Sequence, residues 1–263
     1  MKMIIADLDG TLVNKKEMSD KTKQTILRLQ NEGYVFTLAT GRHKDAVKSM
    51  AKTLNIKWPI ICTNGAMIYD FNQQKVLHQD VIEPTVANRV ITLLNQHQTD
   101  YLLYTTQVIV SNQSAKVLLE SRIGTFESVV VESEQIEPYL KQGLLKILII
   151  EPNEVKFNAL RTTLSQIDDV YVLSSQTSFI DVGNKIASKG RALHILCQHL
   201  GIPLAEVLSI GDQENDLSMV QIAGVGVAMG DGEDRLKENA YFITKPFKEE
   251  GFTHAINTFI FKD

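Results

Sequence analysis

Cysteine is almost absent from the 263 residues: Cys62 and Cys197 lie far apart and form no CxxC pair. That excludes a disulfide framework and a cysteine metal site, leaving two small core residues in a chain suited to a reducing compartment. Basic runs are missing too, and the formal net charge is −4. No nucleic-acid partner and no anionic membrane surface is therefore expected. No segment approaches the roughly 20 apolar residues needed to cross a bilayer. The opening Met1–Asp7 run is too short for a signal peptide, so a cytoplasmic location is expected. There is no GxxxxGK[ST] loop, no GxSxG elbow and no HExxH. His194 and His199 are five apart on one predicted helix, poor spacing for a metal pair, and read as structural. Gly224-Val225-Gly226 with Gly230 has GxGxxxG spacing around a predicted strand, which does not fit a dinucleotide loop opening a helix.

What is present is a globular composition, 44% hydrophobic and 22% charged, in a chain long enough for two domains. Short apolar runs alternate with helical patterns over the first eighty and last eighty residues. Predicted strands are Met3–Ala6, Tyr34–Ala39 and Pro59–Cys62, then Val207–Ile210, Val225–Met229 and Tyr241–Thr244. Ser19 and Ser188 are good N-caps for the intervening helices, while Gly33 and Gly201 are good stops. This alternation predicts an α/β fold, a Rossmann-like parallel-sheet core covered on both faces. Met67–Phe71 and Lys75–His78 read as a hairpin. Between about residues 83 and 183 strand-like runs follow one another through short turns, the pattern of an inserted α+β unit. The expected division is 1–82 with 184–263 for the core, and 83–183 for the insert.

Three polar clusters each follow an apolar strand: Asp7-Leu8-Asp9-Gly10-Thr11, Thr40-Gly41-Arg42, and Gly211-Asp212-Gln213-Glu214-Asn215-Asp216. In open α/β sheets ligands bind outside the carboxyl ends of the strands, where these clusters fall. One DxD after a strand is a common turn and cap; three clusters on one sheet are not explained that way. They are rich in carboxylates and hold no His or Cys, a donor set for a hard ion such as Mg²⁺ and not for zinc. Gathered carboxylates repel one another, and a divalent cation removes the conflict. Gly10 and Gly41 let the backbone turn tightly beside an anion.

These residues resemble the haloacid dehalogenase superfamily, and within it the Cof-type sugar-phosphate phosphatases. The resemblance runs the length of the chain: DLDGTL at 7–12, LATGR at 38–42, TNGA at 63–66, SKG at 188–190, GDQEND at 211–216 and AGVGVAMGDG at 223–232. It implies a phosphoric monoester hydrolase in which Asp7 attacks phosphorus to form an aspartyl-phosphate. It implies that Asp9 protonates the leaving alcohol and then deprotonates the hydrolytic water. Mg²⁺ would be held by the Asp7 and Asp212 carboxylates and the Asp9 carbonyl, with Asp216 supporting it from behind or through water. Thr40 and the N–H groups of Gly41 and Leu8, with Lys189 and Asn215, would grip the phosphoryl oxygens. The insert would close over the site and select the leaving group, making the partner a small phosphorylated metabolite.

Lys189 at a predicted helix start works against the helix dipole, which favours a ligand role over an ordinary exposed lysine. Arg42 and Asn64 are possible substrate contacts; Arg42 equally suits a helix cap, and Asn64-Gly65 equally suits a turn. Tyr101, Tyr104, Arg122 and Phe179 of the insert could line a pocket or belong to core or surface. Two rivals stay open: a phosphomutase using the same aspartyl-phosphate, and a phosphometabolite-binding module without catalysis. The large insert and Asp9 as a water-activating base favour hydrolysis over the mutase, and a binding module has no need for both Asp7 and Asp9.

Overall fold

The structure is a computed structural model describing every residue except Lys15, Lys16, Gly124, Thr125, Ser133, Glu134, Thr177 and Asp263; the side chains of Arg122, Ile123, Ser175 and Gln176 also lie outside the description. The chain opens with β1 (Met3–Ala6), α1 (Asp20–Asn31), β2 (Val35–Leu38) and α2 (Lys44–Thr53), then β3 (Ile60–Cys62), β4 (Met67–Asp70) and β5 (Lys75–Gln79). The middle begins with α3 (Pro84–Gln96), β6 (Asp100–Thr105), β7 (Ile109–Ser111), α4 (Gln113–Ile123) and β8 (Val129–Val130). It continues through α5 (Glu137–Leu140), β9 (Leu144–Ile150), α6 (Glu154–Leu164), β10 (Val170–Gln176) and β11 (Phe179–Asn184). The last part holds α7 (Lys189–Leu200), β12 (Val207–Gly211), α8 (Leu217–Ile222), β13 (Val225–Ala228), α9 (Asp234–Lys237), β14 (Phe242–Ile243) and α10 (Gly251–Ile256). Two compact units result: Met1–Arg42, Val47–His78 and Ser188–Asp263 form one; His43–Ala46 and Gln79–Ala187 form the other.

The first unit is built on a five-stranded parallel sheet of order β14-β13-β12-β1-β2. From central β1 the chain steps to β2 on one side and later returns as β12 on the other. The crevice at the carboxyl ends of β1 and β12 is therefore the topological switch point, where such sheets bind ligands. Both faces are covered, as a parallel sheet requires. Met3 and Ile5 point into one apolar cluster with Leu193, Leu196, Val207 and Met219. On the other face Phe36 meets Phe252 of α10 edge-to-face at 6.1 Å, and the Thr25 and Thr253 hydroxyls bond at 3.0 Å. Ser19 caps α1 by accepting from the Thr22 N–H, and Ser188 caps α7 by accepting from Arg191 N–H.

β3 departs from the expected core sheet. One parallel bridge, Ala39 to Ile61, ties it to the segment after β2; it then pairs antiparallel with β4 in a separate sheet of order β3-β4-β5. The chain reverses through Thr63–Gly65, and the returning β4 pairs antiparallel with β3 over Ile60–Cys62 on the edge opposite Ala39.

The second unit carries a six-stranded sheet of order β10-β11-β9-β6-β7-β8, antiparallel except for the β7–β8 pair. One face is packed by α3 and α6 through Val90, Leu94, Phe157 and Leu160; Ala115 and Leu119 of α4 sit against Leu102, Ile109 and Phe179 on the other. Tyr101 and Phe179 are thus core residues, Tyr101 bonding its hydroxyl to Asn95 Oδ1 at 3.0 Å. Tyr104 is buried under the Lys146 ammonium, 4.5 Å from its ring centroid. The Arg122 side chain is outside the described residues.

Candidate active site

Each expected site residue follows the carboxyl end of a core strand or opens a helix beside it. Asp7 directly follows β1 and is locked there by its N–H, which donates to the Ile210 carbonyl at 2.9 Å. Asp212 follows β12. Lys189 is the first residue of α7 and is fully buried, its ammonium 2.5 Å from Asp7 Oδ1 and 2.6 Å from Asp216 Oδ1. Asp7, Asp212 and Asp216 can each present a carboxylate oxygen with all three within 4.8 Å of one another.

The three acids differ in what their oxygens already do. Both Asp216 oxygens are engaged: Oδ1 takes the Lys189 ammonium, and Oδ2 accepts from the N–H groups of Asp212 and Gln213 at 2.9 and 3.1 Å. It thereby fixes the loop that carries Asp212. Asp212 Oδ1 accepts from the Thr11 hydroxyl at 3.1 Å. Gly10, at φ +94°, leaves the room that the Asp212 carboxylate fills; a Cβ there would stand 2.1 Å from Asp212 Oδ2. Thr11 was not singled out from the sequence, although it stands within the Asp7–Thr11 run; its partner lies 201 residues away, which no local spacing reveals.

Electrostatics show a cluster short of positive charge. Burial pushes the Asp7 carboxyl up to about 7, with Lys189 opposing and Asp216 and Asp9 adding to the rise. Burial likewise pushes Asp212 up to about 9, with Asp7 and Asp216 adding to it. Burial works against the Lys189 charge, but Asp216 and Asp7 together hold that ammonium well above its ordinary value. One buried ammonium thus faces three buried carboxyl groups. A divalent cation among these oxygen donors would supply the missing charge, and the all-oxygen set suits a hard ion.

Asp9 lies at the exposed rim, where Arg42 holds both of its oxygens, Nε to Oδ2 at 2.8 Å and Nη2 to Oδ1 at 2.5 Å. Arg42 is thus an ion-pair partner of Asp9. The buried Thr40 hydroxyl accepts from the Arg42 N–H at 3.1 Å, closing the Thr40-Gly41-Arg42 turn. The Leu8 side chain is wholly buried, so only its backbone can serve a ligand. Asn64 is 3% exposed and its Oδ1 accepts from Asn215 Nδ2 at 3.0 Å. A separate cavity of about 190 Å³, lined by Ser19, Thr22, Lys248, Glu250 and Phe252, shares only Thr11 with this cluster. Its hydroxyls already bond to Glu250, and it contains none of the buried carboxylates.

A family model described as haloacid dehalogenase-like hydrolase matches residues 4–256. The chain is 30% identical to phosphatase YwpJ of Bacillus subtilis, across 97% of this chain and 99% of that protein. It is 28% identical to pyridoxal phosphate phosphatase YbhA of Escherichia coli, across 92% of each. A solved haloacid dehalogenase-like hydrolase from B. subtilis, 27% identical, superposes with a TM-score of 0.86 over 99% of this chain and 100% of that one.

Proposed function

Because the chain belongs to the haloacid dehalogenase-like hydrolases, in their Cof-type branch, and is a phosphatase, we propose that it hydrolyses small phosphorylated metabolites, with Asp7 as nucleophile and Asp9 as general acid and base. The observation that carries this reading is the Lys189 ammonium, buried between Asp7 and Asp216 at 2.5 and 2.6 Å beside Asp212. Such a cluster brings a nucleophile and charge neutralisation together at a strand end.

Lys189 fixes Asp7 Oδ1, leaving Oδ2 to attack. In the first step Asp7 Oδ2 bonds to phosphorus as the bond to the leaving oxygen breaks, and that oxygen takes a proton from Asp9. In the second, water attacks the aspartyl-phosphate, its proton passes to Asp9, and Asp7 leaves as a carboxylate with release of orthophosphate. Asp9 can move a proton only after the Arg42 fork frees one of its oxygens. The Gly41 and Leu8 N–H groups, the Thr40 hydroxyl and Asn215 Nδ2 would hold the phosphoryl oxygens, with Lys189 adding charge. Mg²⁺ would be held by the Asp7 and Asp212 carboxylates and the Asp9 carbonyl, with Asp216 orienting Asp212 and Lys189. When bound it supplies charge neutralisation at the phosphoryl group and at the carboxylates.

The named substrates of the relatives, pyridoxal phosphate among them, support a small phosphate ester as substrate here, and the second unit is where we place choice of leaving group. The test is orthophosphate release from a panel of phosphorylated metabolites with Mg²⁺, with Asp7→Asn as blank. Turnover that depends on Mg²⁺ and vanishes in Asp7→Asn is expected; turnover retained by Asp7→Asn removes the nucleophile assignment.

A further inference from the structure

The turn Thr63-Asn64-Gly65, between β3 and β4, has three consecutive left-handed residues, with φ of +54°, +56° and +96°. Glycine and asparagine tolerate that region, but a β-branched threonine there is an outlier. Thr63 Oγ1 is also buried without a hydrogen-bond partner among the described residues. Strain and an unsatisfied hydroxyl in one buried turn need surroundings that over-determine it, and such places cluster at functional sites.

The turn touches three of the four segments assigned to the phosphoryl group, those of Thr40–Arg42, Asn215 and Lys189. Asn64 N–H donates to the Thr40 carbonyl at 3.1 Å, and Thr63 N–H donates to the Arg42 carbonyl at 2.9 Å. The Asn64 Oδ1 lies so close to Gly41 that a Cβ on Gly41 would stand 2.7 Å from it. The same oxygen accepts from Asn215 Nδ2 at 3.0 Å, across 151 residues of sequence. Gly65 packs on the start of α7, where a Cβ would meet the Ser188 carbonyl at 2.1 Å and the Lys189 nitrogen at 2.8 Å. Gly41, Asn215 and Lys189 are therefore held relative to one another by a turn that itself stays buried.

We infer that Thr63-Asn64-Gly65 is a brace for the phosphoryl-binding groups, with Asn64 as a positioning residue that acts through Asn215 and Gly41. The inference rests on the reading that those groups bind the transferred phosphoryl. Asn64 fixes one amide hydrogen of Asn215 and so aims the second. A glycine at 41 and an asparagine at 64 are required together, because the Asn64 oxygen occupies the space beside the Gly41 Cα.

The test is a double-mutant cycle on the full chain with Mg²⁺, using Asn64→Gly, which keeps a backbone tolerant of positive φ and removes only the amide. Asn64→Gly should lower kcat/KM about 10- to 100-fold, by the same factor for an aryl and an alkyl phosphate, and weaken orthovanadate inhibition alongside. In the Asn215→Ala background it should lower activity by no more than about 3-fold further, because the two residues act as one unit. Losses that multiply in the double variant would overturn the inference. So would a loss confined to one leaving group, which marks direct substrate contact. A lowered melting temperature with unchanged kcat, the mark of a merely structural turn, would also overturn it. Asn64→Ser carries the same cycle if Asn64→Gly does not fold. Wild type and Asp7→Asn run beside them: absent wild-type turnover, or active Asp7→Asn, sinks the underlying reading, whereas normal controls with an unimpaired Asn64→Gly sink this inference alone.

Discussion

At the scale of single residues, Lys189 has the most to lose. Among the described residues its ammonium is the one cation within hydrogen-bond reach of both Asp7 and Asp216, and all three groups are buried. Removing one partner of a buried ion cluster strands the others. Lys189→Met should destabilise the metal-free fold by about 3–5 kcal/mol in urea titration and abolish turnover; unchanged stability would mean that the cluster is not charged as described. Arg42 makes the contrasting case. Its pair with Asp9 is short but partly exposed, 30% and 54% by side chain, so solvent screening leaves it little stability to contribute. Arg42→Ala should shift folding stability by less than about 1 kcal/mol. Asp9→Asn should lower kcat/KM, which reports the first step, far more for an alkyl phosphate, whose leaving oxygen needs a proton, than for 4-nitrophenyl phosphate. Equal losses for both would remove Asp9 from the acid role.

At the scale of elements, the site is a set of strand ends and helix starts. Ser188 caps α7 and so presents Lys189 at the first helical position. Ser188→Ala should cost about 1 kcal/mol, read as a lowered urea midpoint. It should also lower kcat more than a cap elsewhere would, since the start of α7 carries Lys189. Ser19→Ala, at the cap of α1, is the control. The strands and caps around the site were legible because each signal is local: an apolar run of four ending in an acid, or a serine followed by a periodic face. Helix α4 carried no such signal, since Val117 is 56% exposed while Ala115 and Leu119 are buried, which blurs the apolar stripe. Helix α10 was missed because Phe252, Ala255 and Ile256 are buried within a six-residue segment too short to show a period. The Thr63–Gly65 turn was visible only as Asn-Gly, and its contacts to Gly41, Asn215 and Lys189 are long-range. The same limit hid the hold of Arg42 on Asp9 and of Thr11 on Asp212.

At the scale of the whole molecule, the buried acids couple folding to pH and to metal. Asp7 and Asp212 sit near 7 and 9 in the folded chain against 3.8 ordinarily, so the folded state binds more protons than the unfolded state across that interval. Their contribution is therefore fully present below about pH 4 and is lost as pH rises through the folded values. In EDTA the melting temperature should fall between about pH 6 and about pH 9, and Mg²⁺ should raise it by more at the higher pH, where metal no longer displaces protons. Asp212→Asn should flatten the pH slope and remove most of the Mg²⁺ increment; an increment independent of pH and of Asp212 would place the ion elsewhere. No helix among the described residues is long and apolar enough to cross a membrane. The fold was readable from the strand–helix alternation, and the family from the polar, glycine-bearing motifs at strand ends. The choice of substrate was not, because the second unit's aromatic candidates Tyr101 and Phe179 are core.

The central claim is that Asp7 carries the phosphoryl group between substrate and water. Acid-quenching the enzyme during turnover with Mg²⁺ and a reactive phosphate ester, then mapping peptides by mass spectrometry, tests it most directly. A phosphoryl group on the peptide containing Asp7, present during turnover and absent from Asp7→Asn, is the predicted result. A phosphoryl group on any other residue, or steady turnover in Asp7→Asn, would contradict it.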